Sequence, residues 1–498
     1  MRRMPLARRG AVPSKRRAGW RRWTHLVPAL LLILVLVGAI AGGIFATVRT
    51  GHFLHKVTNL NNPVTVIKNE VEPPAGSIAW KLKNGQQVNL LLLGYGGAEN
   101  DAPWLTDSIM VVSIDPLSRR VLEASVPRDL YVQIDAWQDG RRYDEKINAA
   151  FVVGNDPASF GGALKPAFQG KDGAGHLVES TVSRLTGITF DRYAAVDFKA
   201  FREVVNALGG ITVQMSGPLD DCHYPNYANG YLNNGVPPGW PCPPGSGIHF
   251  AAGTYSVNGE QALEIARSRD AIEPEQASDF GRARRQQMVV AAIRQKATSA
   301  GAIWKVPQLM EALQNDFKTD MDLNDIKALY DFGTKLSDSS FIRLAITDQD
   351  LVDDYPPYSR GSCGALDAYA LCPEDPTYQT WHAIFSHAFV DRRILQERAP
   401  VQLVNTSTSS VDLESRLGRV LGPLGLSVSD GPRGQAGAAT VIYDYSGGKY
   451  PQTAAWLEEF FGARVVAMPS PPDSATARQQ GLVVTVGDDY ARRWYGQH

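Results

Sequence analysis

The segment VNLLLL at residues 88–93, which stops at the glycine-rich break GYGG at residues 94–97, decides the fold class of this chain. Two more short apolar runs follow at Ile109–Ile114 and Val121–Val126, and each is followed closely by a proline. Continuous apolar runs of this length are typical of strands that are buried on both faces. We therefore expect a buried sheet with these three segments as central strands.

Helical periodicity appears farther along, at Leu177–Leu185 and Phe198–Leu208, and a glycine pair separates the second helix from a predicted strand at Ile211–Met215. Central strands with covering helices predict an α/β (α+β) fold. The stretch from residue 399 to residue 498 repeats the alternation of strands and helices on a smaller scale. It predicts a second, small C-terminal α/β domain of ordinary size.

The overall composition excludes several classes of protein. The chain has 498 residues, of which 44% are hydrophobic and 20% are charged, so it is too apolar to be disordered and too long for one compact domain. The formal net charge of -1 excludes binding of nucleic acid through overall charge, so no nucleic-acid partner is expected. The first 25 residues nevertheless contain nine arginines and lysines and no acidic residue.

A 23-residue segment without charge, Leu26–Val48, follows this basic tail. At about 1.5 Å per residue it makes roughly 34 Å of helix, which is enough to cross the apolar core of a bilayer. A cleaved signal peptide is the alternative, but its apolar region is usually only about 7–15 residues long. The positive-inside rule leaves the tail in the cytoplasm, so we predict a single-pass cell-membrane protein whose bulk is extracytoplasmic.

The segment between the predicted span and the first strand is rich in proline and has little periodicity, which predicts a stalk. Residues 300–398 mix helical and loop patterns, and we assign them to the first domain as an extension. The predicted divisions of the chain are residues 1–25 (cytoplasmic basic tail), 26–48 (transmembrane helix), 49–87 (stalk or linker), 88–398 (first domain, core about 88–296, extension 300–398) and 399–498 (C-terminal domain).

All four cysteines lie beyond the predicted span, in segments that are dense in proline, glycine and tyrosine. Four cysteines allow three pairings, and the two sequence-local pairs, Cys222 with Cys242 and Cys363 with Cys372, would close two loops in an oxidising compartment. Their spacings do not fit a zinc site. We therefore predict two disulfides.

Polar side chains cluster where the predicted strands begin or end. Asp107 leads into the strand SIMVVSI, Arg128 and Asp129 follow the next strand, and Lys146 opens the segment KINAAF. A second set of polar side chains lies downstream at Arg267, Arg269, Asp279, Arg282, Arg285 and Gln286. Three of these have i, i+3, i+4 spacing, which places two guanidinium groups and an amide on one helix face.

Several cations that converge from separate elements repel one another unless an anion balances them. Guanidinium groups match phosphate oxygens in pairs and helix N-termini add amide donors, so the set predicts a phosphate or pyrophosphate site. Asp107 and Asp129 supply the oxygen ligands that Mg2+ prefers, often together with substrate phosphates. The alternative is that these residues are solvated surface charges. Motifs of nucleotide-binding loops, serine hydrolases and zinc proteases are absent from the sequence.

Residues 88–296 resemble the LytR-CpsA-Psr (LCP) family. The motifs that carry the resemblance occur in the family's order, as LLLG, TDSIMVVSIDP, SVPRDLYV, KINAAF, VDFKAFREVVNALGGITV and DFGRARRQQ. Residues 401–489, from VQLVNTS to VVTVGDDY, resemble the LytR-type C-terminal domain that often accompanies this family. The family is also anchored by an N-terminal membrane helix.

The resemblance implies a membrane-anchored, extracytoplasmic phosphotransferase with an LCP-type central sheet. It would move a glycopolymer from a polyprenyl-pyrophosphate lipid carrier to peptidoglycan and release polyprenyl phosphate. Its partners would be the lipid-linked glycopolymer, peptidoglycan and the cytoplasmic membrane. The lipid would enter an apolar tunnel between the sheet and the helices.

The matching motifs also imply roles for single residues. Asp107 would be a ligand of Mg2+ (or Mn2+), Asp129 and Asp279 would orient the arginines, and Asp107 or Asp129 would take the proton of the attacking hydroxyl group. The substrate-binding residues would be Arg128, Lys146, Arg267, Arg269, Asp279, Arg282, Arg285 and Gln286. The catalytic residues would be Asp107, Arg128, Asp129, Arg267 and Arg269.

Two departures from the family pattern affect the site. Tyr95-Gly96 stands where the family often has an aspartate, and Leu105 stands where it often has an arginine. One metal ligand and one phosphate ligand are therefore either missing or supplied elsewhere, for example by Glu99 or Asp101. Two other functions stay open. One is a non-catalytic wall-binding or regulatory protein that holds a lipid phosphate, and the other is a lipid pyrophosphatase in which water replaces the sugar acceptor.

Overall fold

The structure is a computed structural model. It describes residues 73–98, 102–222, 224, 247–268, 271–277, 279–297, 316–346, 352–355, 370–373, 377–409, 412–468 and 481–495. The predicted basic tail and membrane span lie outside these residues. Within the described ranges, none of the helices has the length and apolar character needed to cross a membrane.

The described strands fall into one large sheet, a second sheet near the C-terminus, and several short pairs. In chain order they are β1 (Val88–Tyr95), β2 (Thr106–Asp115), β3 (Arg120–Val126), β4 (Tyr131–Gln133), β5 (Asp144–Lys146), β6 (Arg192–Asp197), β7 (Ile211–Met215), β8 (Leu219–Asp221), β9 (Ile248–Phe250), β10 (Gly253–Val257), β11 (Phe317–Thr319), β12 (Phe341–Ala345), β13 (Val352–Tyr355), β14 (Ala370–Pro373), β15 (Pro400–Asn405), β16 (Ser427–Asp430), β17 (Val441–Asp444), β18 (Arg464–Ala467) and β19 (Leu482–Val486).

Helices cover both sheets. They are α1 (Ile78–Lys83), α2 (Ala149–Asn155), α3 (Gly173–Thr186), α4 (Phe198–Ala207), α5 (Gly259–Arg267), α6 (Pro274–Ala277), α7 (Asp279–Ala297), α8 (Leu323–Gly333), α9 (Gln379–Ser386), α10 (Arg392–Glu397), α11 (Leu413–Leu421), α12 (Pro451–Phe461) and α13 (Asp488–Tyr495). Short 3-10 helices lie at Pro157–Phe160, Pro166–Phe168 and Asp338–Ser340.

The central sheet has six strands in the order β11-β6-β1-β2-β3-β12. The three predicted strands lie at its centre, which confirms the prediction. β2 is antiparallel to both β1 and β3, whereas β6 runs parallel to β1 and β12 runs parallel to β3. Alternate residues of β1 point into two separate cores, Leu91 into one and Leu90 into the other, and both are fully buried. This burial on both faces explains the continuous apolar run.

The predicted stalk and the predicted extension contain elements that the sequence did not indicate. Residues 78–83, inside the predicted stalk, form α1, where Ser77 caps the helix by accepting from the Trp80 amide at 3.2 Å. Ile78 is only 2% exposed because α1 packs on α8. The low periodicity of the predicted stalk gave no indication of this helix, and the division of the chain at residues 49–87 stays a prediction. The extension supplies β11 and β12, the two outer strands of the sheet.

Residues 400–495 form a five-stranded sheet in the order β16-β15-β19-β17-β18, covered by α11, α12 and α13. Its identification as a LytR-type C-terminal domain stays a prediction. Apolar residues of this part, such as Phe461, belong to the same buried cluster as Leu91 of the central sheet. Arg120, at the start of β3, donates to the carbonyls of Val390 and Leu424 at 3.2 and 3.3 Å. The two sheets therefore share a continuous apolar core.

Cys222 and Cys372 are both disulfide-bonded. Cys242 and Cys363 lie outside the described residues. The predicted pairing of Cys222 with Cys242 and of Cys363 with Cys372 therefore stays a prediction.

Candidate functional site

One edge of the central sheet brings together the ends of several strands, and we call it the site edge. β1 ends here at Tyr95, β3 ends at Val126, and β6 ends at Asp197, which pairs with Tyr95. Because β2 is antiparallel to β1 and β3, its first residue, Thr106, lies at the same edge. Residues directly beyond these positions are therefore brought close together, although they are far apart in the sequence.

Four of the predicted site residues form one ion network at this edge. Arg128 donates from Nε to Asp129 Oδ2 at 3.1 Å and from a terminal nitrogen to Asp107. Lys146 Nζ donates to the other oxygen of Asp129 at 3.0 Å. The Asp129 side chain is 6% exposed, whereas those of Arg128, Lys146 and Asp107 are 14%, 21% and 26% exposed. The two carboxylates thus balance and orient cations that remain accessible from solvent.

The local backbone explains how Lys146 reaches Asp129. Lys146 ends β5 and pairs with Tyr131 at the start of β4, so the hairpin returns the chain to the end of β3. The amide of Asn148 donates to the carbonyl of Arg128 at 3.2 Å, and the hydroxyl group of Thr106 approaches the Asn148 carbonyl at 3.5 Å. The segments PRD, KIN and LTD are therefore held next to one another by main-chain contacts.

Helix α7, Asp279–Ala297, brings a second predicted group to the sheet. Gln286 accepts a hydrogen bond from the hydroxyl of Ser108 at 3.3 Å and donates to the carbonyl of Ala266 at 3.3 Å. Arg282, one turn earlier, is 6% exposed. Because Ser108 directly follows Asp107, the amide of Gln286 lies beside the strand that carries the predicted metal ligand.

Arg285 differs from Arg128 and Lys146, because its guanidinium donates to main-chain carbonyls and their side chains donate to carboxylates. Nε donates to Ile265 at 2.8 Å, one terminal nitrogen donates to Gln276 at 2.8 Å, and the other donates to Ser268. Burial, and then the charge of nearby Arg282, lower the pKa of Arg285 to about 10. These bonds use most of the guanidinium donors of Arg285 and leave few for direct contact with a substrate. We therefore infer that Arg285 positions the end of α5.

Arg267 is the last residue of α5. Its guanidinium carbon lies 4.0 Å from the ring centroid of Phe198 and 5.9 Å from that of Tyr224. Phe198 directly follows Asp197, the end of β6, so Arg267 is held beside the site edge by an aromatic ring. The described structure gives no direct contact that joins Arg267 to the ion network around Arg128. Arg269 and the side chain of Asp279 lie outside the described residues.

Tyr95, one of the two departures from the family pattern, forms an aromatic wall at the site edge. It is 2% exposed, and its ring centroid lies 5.8 Å from that of Trp104 and 5.3 Å from that of Phe151. Burial first, and then the charge of Asp197, raise the pKa of its hydroxyl group above the ordinary range. Lys318 Nζ lies 4.2 Å from the Trp104 ring. Tyr95, Trp104 and Phe151 therefore form an apolar wall, with the amine of Lys318 beside it, where the family often has a metal-binding aspartate.

Ser108, Phe198 and Lys318 are not among the residues predicted from the sequence motifs. Ser108 lies within the motif TDSIM next to Asp107, and Phe198 follows an aspartate that caps a helix, so both had a local signal. Lys318 had none, because β11 is only three residues long and comes from the extension. Glu99 and Asp101, the proposed substitutes for the second metal ligand, lie outside the described residues.

Of the predicted carboxylates that the structure describes at the site edge, Asp107 is the accessible one for Mg2+. Asp129 is already occupied by Arg128 and Lys146, and no group of three potential metal ligands in the described ranges includes Asp107. Mg2+ often binds through one or two carboxylates together with substrate phosphates. The residues therefore fit an ion that Asp107 shares with a phosphate substrate, and they do not form a cage of protein ligands.

Comparison with known proteins identifies similar chains. The polyisoprenyl-teichoic acid–peptidoglycan teichoic acid transferase TagU of Oceanobacillus iheyensis is 27% identical over 309 residues, which cover 62% of this chain and 80% of the relative. The transferase TagV of Bacillus subtilis is 29% identical over 246 residues, and the match spans only about half of each chain, 49% and 52%.

Among solved structures, B. subtilis TagV is 24% identical with a TM-score of 0.42, and the match covers 61% of this chain and 97% of that one. A structure of TagT bound to LI-WTA is 22% identical with a TM-score of 0.40, covering 60% and 90%. The family model LytR_cpsA_psr matches residues 52–354, which is more than half of the 498 residues. The chain belongs to the LytR_cpsA_psr family.

Proposed function

We propose that this protein is a membrane-anchored, extracytoplasmic phosphotransferase that moves a glycopolymer from a polyprenyl-pyrophosphate carrier to peptidoglycan. The observation that carries the proposal is the ion network at the site edge, in which Arg128 is held between Asp107 and Asp129 beside Lys146. The relatives TagU and TagV, which are named as teichoic acid transferases acting on peptidoglycan, support the substrate class.

In the proposed complex, Arg128 and Lys146 bind the pyrophosphate through charge-assisted hydrogen bonds. Both cations are partly exposed and already oriented by Asp129, so little conformational freedom is lost when the anion binds. Arg267, stacked on Phe198, and Arg282 of α7 approach from the helical side. Phosphoryl transfer depends on such positioning and charge neutralisation more than on covalent catalysis by the protein.

The reaction forms one P–O bond and breaks another. A hydroxyl oxygen of the peptidoglycan acceptor attacks the phosphorus attached to the glycopolymer, and the bond from that phosphorus to the oxygen bridging to the lipid phosphate breaks. Polyprenyl phosphate leaves with the bonding electron pair, and the hydroxyl proton passes to a carboxylate. Asp107 suits this role better than Asp129, because its side chain is 26% exposed and that of Asp129 is 6% exposed, so an acceptor hydroxyl can reach it.

Mg2+ (or Mn2+), shared between Asp107 and the substrate, would supply additional charge neutralisation on the phosphate oxygens. The residues of the chain perform the other tasks. Arg128 and Lys146 hold the two phosphoryl groups in place, and the buried wall of Tyr95 and Phe151 keeps bulk water away from one side of the site edge.

Product analysis tests the proposal. The purified full-length protein is incubated with a labelled lipid-linked oligosaccharide and purified wall fragments. We expect label bound to the wall polymer, lost in Arg128→Ala and retained in Arg392→Ala, whose residue is exposed on α10 far from the motifs. Free sugar phosphate would instead identify a lipid pyrophosphatase, and retention of the lipid without any product would identify a binding protein.

The anchor at residues 26–48 and the extracytoplasmic location are part of the same proposal, and they rest on the charge pattern of the sequence. A protease added outside intact cells should digest the bulk of the chain and leave a small N-terminal fragment. Protection of the large part would contradict the proposed location.

A further inference from the structure

A cluster of three potential metal ligands lies at the edge of the central sheet opposite the site edge. His176 and Glu179 have i, i+3 spacing on α3, and Asp320 directly follows β11. One ligand atom from each residue lies within 4.8 Å of the other two. His176 Nε2 lies 3.6 Å from Asp320 Oδ2. Among the described residues this is the one group of at least three histidine, cysteine or carboxylate ligands.

Neighbouring groups orient two of these ligands. The amide of Tyr193 donates to Asp320 Oδ1 at 2.9 Å, so the opposite oxygen is the one that faces His176. The ring of Tyr193 packs edge-on against the imidazole, with centroids 6.0 Å apart, and its hydroxyl donates to Asp172 at 3.1 Å. Hydrogen bonds behind the ligand atoms are typical of metal sites, where they fix ligand orientation.

Glu179 provides an independent indication that a cation belongs here. Its Oε1 is buried and has no hydrogen-bond partner among the described residues. A buried carboxylate oxygen without a partner is costly, and a second carboxylate, Asp320, lies beside it. A metal ion would satisfy this oxygen and would balance both negative charges.

We propose that His176, Glu179 and Asp320 bind one divalent transition-metal ion, with Zn2+ the best match. One imidazole and two carboxylates form a donor set suited to such ions, and Zn2+ commonly takes three protein ligands and one water. Metal–ligand bonds of about 2.1 Å at tetrahedral angles separate neighbouring ligand atoms by about 3.4 Å, close to the 3.6 Å between His176 and Asp320. The His176 side chain is 40% exposed, which leaves room for the water.

The proposed ion has a structural role that is separate from phosphate transfer. It ties the middle of α3 to the chain that leaves β11, an outer strand of only three residues. Asp107 lies at the other end of the sheet, so occupation of this site does not depend on the substrate. The competing possibility is a simple ion pair between His176 and Asp320, with no bound metal.

Equilibrium dialysis of the purified full-length protein against Zn2+, followed by elemental analysis, tests the proposal. We expect one Zn2+ per chain and an increase in melting temperature when Zn2+ replaces a chelator. His176→Gln, Glu179→Gln and Asp320→Asn should each weaken binding by at least about 100-fold, since even loss of a second-shell partner costs about 10- to 100-fold. Cobalt(II) should give a visible absorption spectrum in the parent and in none of these three variants.

Two control variants define the site. His249 pairs with Asp220 at 2.9 Å but belongs to no group of three ligands within the described ranges, so His249→Gln should bind Zn2+ like the parent. Asp107→Asn should also retain Zn2+, because it alters only the site edge. Melting curves in the presence of chelator check that each variant is folded. Absence of stoichiometric Zn2+ in the parent, or equal binding in the three ligand variants, would overturn the proposal.

Discussion

Two clusters of arginine and carboxylate lie on the same central sheet, and they differ in access to solvent. At the site edge, the side chains of Arg128 and Asp107 are 14% and 26% exposed. In the interior, Glu123 of β3 accepts from Arg294 at 3.0 Å, and the two side chains are 8% and 3% exposed. Arg343 of β12 lies 3.4 Å from the other oxygen of Glu123. The same residue types thus join α7 to the sheet in the interior and form a solvent-accessible ion network at the site edge.

The largest effect is expected from breaking the interior cluster. Glu123→Ala leaves Arg294 buried without its carboxylate, and removal of one partner of a buried ion pair typically costs about 3–5 kcal/mol. Denaturant unfolding should show this loss of stability. Asp331→Ala removes the exposed pair between Lys327 and Asp331 and should change stability by less than about 0.5 kcal/mol. Similar stability in both variants would mean that burial does not distinguish the clusters.

Arg285 should behave like the interior cluster, although it belongs to the arginine-rich helix motif. Arg285→Gln removes donors from the carbonyls of Ile265 and Ser268, and we expect a stability loss of roughly 2–3 kcal/mol. Activity per folded molecule should fall less than in Arg128→Ala. If stability is unchanged and substrate binding is lost, Arg285 contacts the substrate directly.

At the site edge, the expected loss is in binding and rate. Arg128→Ala and Arg267→Ala each remove a charge-assisted contact worth about 1.5–3 kcal/mol, or about one to two decades in lipid-pyrophosphate binding or transfer. Melting temperatures should stay close to that of the parent, because both side chains are partly exposed. Arg392→Ala should change neither property. Equal activity in all three variants would contradict the site, and unfolding of the first two would mark these arginines as structural.

The smallest effect concerns pH. Burial, and then the charge of Glu260, raise the pKa of Glu264 on α5 to about 7. Because the folded state holds this proton to higher pH than the unfolded chain does, Glu264 reduces stability progressively as the pH rises from about 4.5 to 7. The melting temperature of Glu264→Gln relative to the parent should therefore increase over this range and then level off.

The sequence predicted the central strands and the strand-end residues well, because both depend on local patterns. Continuous apolar runs marked β1, β2 and β3. Asp107, the second residue of β2, and Arg128, two residues after β3, are in contact. The contacts of Arg285 could not be predicted in this way. Helical spacing places it on a face with Arg282, but which carbonyls approach that face depends on how α5 packs.

Tertiary packing also explains the elements that were missed. Residues 78–83 form a helix because Ile78 is buried against α8, a partner more than 200 positions away in the sequence. The outer strands β11 and β12 have three and five residues, too few for a periodicity signal, and they form by pairing with β6 and β3. In each case the decisive partner is remote in sequence.

The hydrogen bonds from Arg120 to Val390 and Leu424 limit how the chain can be divided. Arg120 begins the strand that leads, eight residues later, to Arg128, and burial lowers the pKa of its guanidinium. A protein shortened at residue 398 would lose one of these acceptors and would expose part of the apolar core that the two sheets share. Such a fragment would be prone to aggregate. Loss of activity on truncation would therefore reflect lost solubility before it revealed any role of the second sheet in recognising the wall.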